Sequence, residues 1–253
     1  MPDLVWVTLA SGLAGFIDAI VGGGGLVLVP ALFTTFPTVA PATLFGTNKG
    51  AAIWGTAWSA RLYARRVQMN WHTLGPAALA ALMGAAAGAW LVTQVSPGGL
   101  RRALPLVLLG LLLYTLARKD LGRAHLPHRS PSVERQLGIA IGAGVGFYDG
   151  FFGPGTGSFL VFLLVRVLGY DFLHASAGAK LINVATNFAA LAWFASTGHV
   201  MWTAALVMAL ANVAGSMLGT QLALQRGSGF VRGMFMLVVT VLIARTTYDA
   251  WLR

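Results

Sequence analysis

Apolar stretches, clearest at 74–95 and 204–224, run long enough to cross a lipid bilayer. A hydrocarbon core of about 30 Å takes roughly 20 residues of helix at about 1.5 Å each. Such stretches rule out a water-soluble globule. With 57% of the 253 residues hydrophobic and 9% charged, the composition also lies outside the range of soluble domains. The alternation that a membrane β-barrel requires is absent, so the expected class is an all-α polytopic membrane protein.

One apolar stretch is written in a way that bare lipid does not tolerate. Residues 15–25 carry Asp18 and then four consecutive glycines, Gly22, Gly23, Gly24 and Gly25. An intramembrane carboxylate and a glycine break both expose polar groups that hydrocarbon leaves unsatisfied, so this segment requires a protein-lined or wet cavity. The same plan returns at 146–157, where Asp149 precedes Gly153, Gly155 and Gly157. Asp18 and Asp149 set an offset of 131, which also relates Lys49 to Lys180, Trp71 to Trp202, Gly84 and Gly88 to Gly215 and Gly219, and Arg101 to Arg232. Read as a duplication, the chain divides into a first repeat at 1–117, a basic linker at 118–135 and a second repeat at 136–253.

Each repeat holds five apolar segments, expected at 4–20, 25–36, 42–64, 73–95 and 101–117, and at 136–152, 157–169, 173–196, 201–225 and 231–250. The second segment of each repeat spans only about 18–20 Å as a helix, so it either re-enters or forms part of a broken crossing. The formal charge of +10 does not point to nucleic acid, because the basic residues crowd into short connections as the positive-inside rule describes. Arg61, Arg65 and Arg66, then Arg118, Lys119, Arg123, Arg129 and Arg135, then Arg226 and Arg232 are expected on the cytoplasmic side. Five segments per repeat satisfy this pattern with inverted repeats and both termini outside, although Arg101 and Arg102 would then also lie outside. The alternative is eight full spans, four in each repeat. The amino terminus shows neither a basic region nor a small-residue cleavage site, so the first helix is expected to be retained.

Lys49 and Lys180 are two of only three lysines and fall near the start of the long third segments. An ammonium at that depth needs a carboxylate, carbonyls, water or a bound anion. It either serves an anion path, snorkels to an interface or pairs structurally with Asp18 or Asp149. A half-helix starting after a glycine break presents free N–H groups and the positive end of its dipole, a ready anion site. Thr156 and Ser158 add hydroxyls, and Thr47, Asn48, Asn183 and Asn187 lie beside the lysines in sequence. The expected substrate-binding set is therefore Lys49, Lys180, the glycines at 22–25, Gly153, Gly155, Thr156, Gly157, Ser158, Thr47, Asn48, Asn183 and Asn187. Asp18 and Asp149 are the coupling candidates, with capping of the frayed backbone as their structural alternative. Gly84 with Gly88 and Gly215 with Gly219 read as close helix packing. His174 and His199 are placed at loops or interfaces. No metal, cofactor or nucleic-acid partner is expected, and no catalytic motif is present.

These paired motifs, together with Pro30-Ala31-Leu32, Thr47-Asn48-Lys49, the run 146–154 and Ala179-Lys180-Leu181-Ile182-Asn183, resemble the TauE/SafE sulfite exporter family, also called the toluene sulfonate uptake permeases. The chain looks most like the YfcA-type bacterial branch. The resemblance implies a multi-pass permease of the bacterial inner membrane that moves sulfite, organosulfonates or related sulfur-containing anions. It also implies about eight spans arising from a duplication. Proton coupling or the membrane potential would supply the drive. An anion channel using the same positive cavity, or a membrane partner in sulfur metabolism without flux of its own, are the other classes open to such a sequence.

Overall fold

A computed structural model describes residues 2–96 and 130–251. The described residues are helical and contain no strand: α1 (Pro2–Val21), α2 (Gly25–Thr35), α3 (Pro41–Arg66), α4 (Trp71–Gln94), α5 (Pro131–Phe151), α6 (Thr156–Leu168), α7 (Phe172–Ser196) and α8 (Trp202–Trp251). The fifth segment of the first repeat, with Arg101 and Arg102, and the linker residues Arg118, Lys119, Arg123 and Arg129 lie outside the described residues. Helix α5 starts at Pro131, inside the stretch expected as linker, because proline at the first helical position needs no N–H partner. The two segments expected at 201–225 and 231–250 form one helical run broken at a single residue, Gly227 (φ 71°, ψ −167°).

Three helical stretches, Asp3–Val21, Trp71–Gln94 and Trp202–Met234, are long and apolar enough to cross a membrane. Large apolar side chains point outward along them: Leu9, Leu13, Leu79, Met83, Leu210 and Leu218 are all more than half exposed. In water that surface would aggregate; in lipid it is the solvated face.

Contacts identify the two ends of the bundle. At one end the Asn70 amide donates to Glu134 Oε1 at 2.9 Å and the Tyr170 hydroxyl donates to the same oxygen. Nearby, the Phe172 N–H donates to the Ser228 hydroxyl at 3.2 Å. Arg65, Arg66, Arg135 and Arg226 belong to helix ends that meet there. At the other end Trp193 Nε1 donates to the Thr93 hydroxyl at 3.4 Å, and Met201 N–H to the Thr47 hydroxyl at 3.0 Å.

Helix α1 starts at this second end, where Leu4 and Val7 pack with Met201, Ala204 and Met208. It runs parallel to α8 until the Tyr63 hydroxyl, close to the end of α3, donates to the Ala19 carbonyl at 3.0 Å. The chain then reverses, and Gly24 lies so close to α1 that a Cβ on it would be 2.6 Å from the Ala14 oxygen. Helix α2 therefore returns to the end where α1 began. Helices α5 and α6 do the same from the basic end, bringing Tyr170 back to Glu134 in the first turn of α5. Each short helix thus folds back along the helix that precedes it.

The hairpins are held by backbone contact through missing side chains. On α5, Gly142, Gly146 and Gly150 face the carbonyls of Ala77, Ala81 and Ala85 on α4, and a Cβ at any of them would sit 2.0–2.3 Å from the facing oxygen. Gly84 and Gly88 return the contact against Ala143 and Phe147, as Gly215 and Gly219 do against Gly12 and Phe16. With no hydrophobic drive between helices in lipid, such close approach supplies the dispersion energy that holds them.

Candidate functional site

The two glycine breaks meet inside the bundle. Gly22 and Gly153 occupy equivalent places and both have left-handed backbone, φ 78° and φ 87°, a conformation open at low strain essentially to glycine. Gly22 abuts Gly157 so closely that a Cβ on Gly22 would lie 2.2 Å from the Gly157 carbonyl carbon. The end of α1 would leave carbonyls unpaired, and other segments satisfy them. Tyr63 donates to Ala19 O, Ser176 to Ile20 O at 3.1 Å, Ser158 Oγ to Val21 O at 3.0 Å and Ser158 N–H to Gly22 O at 3.0 Å. Ser158 is thereby engaged with the first hairpin. At the other break, the Thr156 hydroxyl donates to Gly153 O at 2.8 Å and Tyr148 to Pro154 O.

Beside these breaks lie two ion pairs, and each crosses from one half of the chain to the other. Lys49 Nζ on α3 donates to Asp149 Oδ2 on α5 at 2.5 Å, and Lys180 Nζ on α7 to Asp18 Oδ2 on α1 at 2.7 Å. Thr56 Oγ1 approaches Asp18 Oδ2 at 3.4 Å. Two cations and two anions leave the cluster formally neutral. Ion pairing at this depth relieves the desolvation that would otherwise expel or neutralise each group.

A partly open cavity lies at this junction, and the roughly 400 Å³ of unfilled space there includes its opening to solvent. Asp18, Lys49 and Asp149 line it, as do Gly22, Gly24, Gly25, Gly153, Thr156, Gly157, Asn48, Asn183 and Asn187. The structure thus gathers most of the residues singled out in the sequence. Gly23, Gly155, Ser158, Thr47 and Lys180 do not line the cavity. Thr47 joins α3 to the turn before α8, and Gly155 is the left-handed residue preceding α6. His174 sits at the start of α7, tied to Asp171 of the preceding turn at 2.7 Å.

Asn48 and Asn187 are 6% and 3% exposed, and among the described residues neither amide makes a side-chain hydrogen bond. Asn183 also lines the cavity, and its Oδ1 accepts from Thr186 at 3.2 Å. The backbone N–H groups of Gly24, Gly25 and Gly157 likewise take no acceptor among the described residues. Such groups line a polar space and can donate to oxyanion oxygens.

Two polar residues of the lining were not singled out in the sequence. Thr56 stands seven residues after Lys49, as Asn187 does after Lys180, so the repeat itself marked it. Asn212, whose amide donates to Ser11 O at 3.0 Å, has Ala81 as its equivalent. Its only signal was an amide inside an apolar run.

Comparison with known proteins extends the picture. The family model described as "Sulfite exporter TauE/SafE" matches residues 7–246. A "probable membrane transporter protein" of Haemophilus influenzae is 32% identical over 248 residues, covering 98% of this chain and 96% of that protein. The "probable membrane transporter protein YfcA" of Escherichia coli is 34% identical over 238 residues, 94% of this chain and 87% of that one. The "probable membrane transporter protein ORF9" of a Sinorhizobium species is 33% identical over 247 residues, 97% and 93% of the two chains. No solved structure matches. With a family match spanning nearly the whole chain and these relatives, the protein belongs to the sulfite exporter TauE/SafE family, a family of membrane transporters and not of enzymes.

Proposed function

We propose that the protein is a secondary transporter of a small anion, sulfite or an organosulfonate, in the bacterial inner membrane. The observation that carries this reading is the polar cavity at the meeting of two glycine breaks, with the Lys49–Asp149 and Lys180–Asp18 pairs beside it. Lys49 on the cavity wall attracts the anion, and the free amides of the breaks with Asn48, Asn183 and Asn187 orient it. Because the cluster is neutral when empty, an arriving anion adds an uncompensated charge, and a proton on an aspartate removes it. Proton coupling follows from that balance.

The contacts of Gly84 with Ala143 and of Gly215 with Gly12 exchange the two halves at the 131-residue offset. This supports an inverted-repeat reading in which the halves at 1–117 and 136–253 swap roles to give alternating access around a fixed site. Flux of sulfite into liposomes tests the proposal. Lys49→Met combined with Asp149→Leu, which removes the ammonium without stranding its buried partner, is expected to abolish flux while the protein remains monodisperse and helical. Unchanged sulfite flux in that folded variant removes Lys49 from the mechanism.

A further inference from the structure

The two ion pairs are chemically alike, yet they meet the cavity differently. In the first, the Lys49 side chain is 4% exposed and Asp149 1%. In the second, Lys180 is 1% exposed and Asp18 14%. Lys180 is the one member of the four that does not line the cavity. The cavity therefore meets both members of the first pair but only the carboxylate of the second, and of the two carboxylates Asp18 is the more exposed.

From this arrangement we infer that the two pairs divide the work: Asp18 takes the coupling proton and Lys49 meets the anion, while Asp149 and Lys180 hold their partners in place. This rests on the anion-transport reading above and assigns roles within the same site. Around Lys49, Gly153 leaves the approach free of side chains, since even a Cβ there would lie 3.4 Å from Nζ. Asn48 adjoins Lys49 in the chain and turns an unpartnered amide to the same space. The Asp18 side chain is more exposed than that of Asp149, which is almost fully buried although it borders the same cavity.

The charged and titratable groups around Asp18 are Lys180 from α7, Lys49 from α3 and Asp149 from α5 across the cavity, with Tyr63 of α3 bonded to the neighbouring Ala19 carbonyl. Helix α2 carries no titratable residue. Helices α6 and α8 carry Arg166 and, in the described side chains, Arg226 and Arg232, away from the cavity. The step balances. A proton from water adds to an Asp18 carboxylate oxygen and breaks the pair with Lys180, one monovalent anion joins Lys49, and the cluster keeps its formal charge of zero.

The test uses the unmodified protein reconstituted in lipid. Dicyclohexylcarbodiimide, an apolar reagent that couples to protonated carboxyls, is applied at mildly acid pH and the adducts are mapped by peptide mass spectrometry. The expected result is an adduct on Asp18 and none on Asp149. Asp18→Asn is expected to lose the adduct and Asp149→Asn to retain it. As a second measurement needing no variant to fold, infrared difference spectra of the wild type should show a protonated-carboxyl band on acidification that carbodiimide treatment removes. Labelling of Asp149, equal labelling of both or absence of label overturns the division. Neither measurement requires sulfite, so a protein that labels on Asp18 but moves no sulfite refutes the substrate reading and leaves this division standing.

Discussion

Removing one member of the Lys49–Asp149 pair should damage the protein far more than removing both. At 2.5 Å the pair attracts by about 7 kcal/mol if the effective dielectric is near 20. Burying the two ions opposes this by several kcal/mol each, so the net contribution of the intact pair is small. Both side chains are at least 96% buried, so screening by water does little to soften the loss of a partner. Asp149→Leu, which leaves Lys49 as an uncompensated buried cation, should therefore destabilise by about 3–5 kcal/mol, and Lys49→Met by a similar amount. The double variant, with two apolar side chains of comparable volume, should lie within about 2 kcal/mol of the wild type. The assay is a double-mutant cycle on reversible unfolding in mixed micelles, following loss of helical circular dichroism. If the double variant loses as much as the two single variants together, the pair is not coupled in the folded protein and the site geometry described above is wrong.

Two other changes probe the scaffold. Gly215→Ala would place a Cβ 1.9 Å from the Gly12 oxygen; separating α1 from α8 to admit it should destabilise by about 1–3 kcal/mol, whereas Gly144→Ala, with nothing within 4 Å, should leave the thermal midpoint unchanged. At the basic end, burial and the Glu134 carboxylate hold the Tyr170 hydroxyl well above the ordinary tyrosine range. Its neutral form is thus favoured by folding, and that stabilisation is complete below the unfolded value of about 10 and declines as pH rises past it. Tyr170→Phe should lower stability at neutral pH by about 1.5–3 kcal/mol through loss of a hydrogen bond to a charged acceptor, and a stability difference between variant and wild type that fails to shrink above that pH would contradict the assignment.

Much of this protein was legible in the chain itself. The apolar lengths, the two glycine breaks and the lysines and aspartates at depth could be read because lipid penalises any unsatisfied polar group locally. Helix starts were less legible: α5 begins at Pro131, five residues before the expected segment, and the Asp171 cap, which accepts from the Leu173 and His174 amides, was not read from the sequence. Comparing the repeats would also have marked Thr56. Asn212 was less legible, because its equivalent is an alanine and a single amide in an apolar helix reads first as interhelical contact.

Only the packing decided how these parts combine. Sequence left each lysine free to meet either aspartate. The fold joins residues 100 and 162 positions apart, because the glycine faces of α5 and α1 seat those helices against α4 and α8 and carry each break to the opposite half. The same packing turned Ser158 from a prospective anion ligand into the partner of the α1 carbonyls. It also kept Lys180 off the cavity wall and left Asp18 more exposed than Asp149. Differences of that kind depend on which neighbours surround a side chain in space, and a 131-residue repeat that supplies the same residue types twice does not encode how each copy is surrounded.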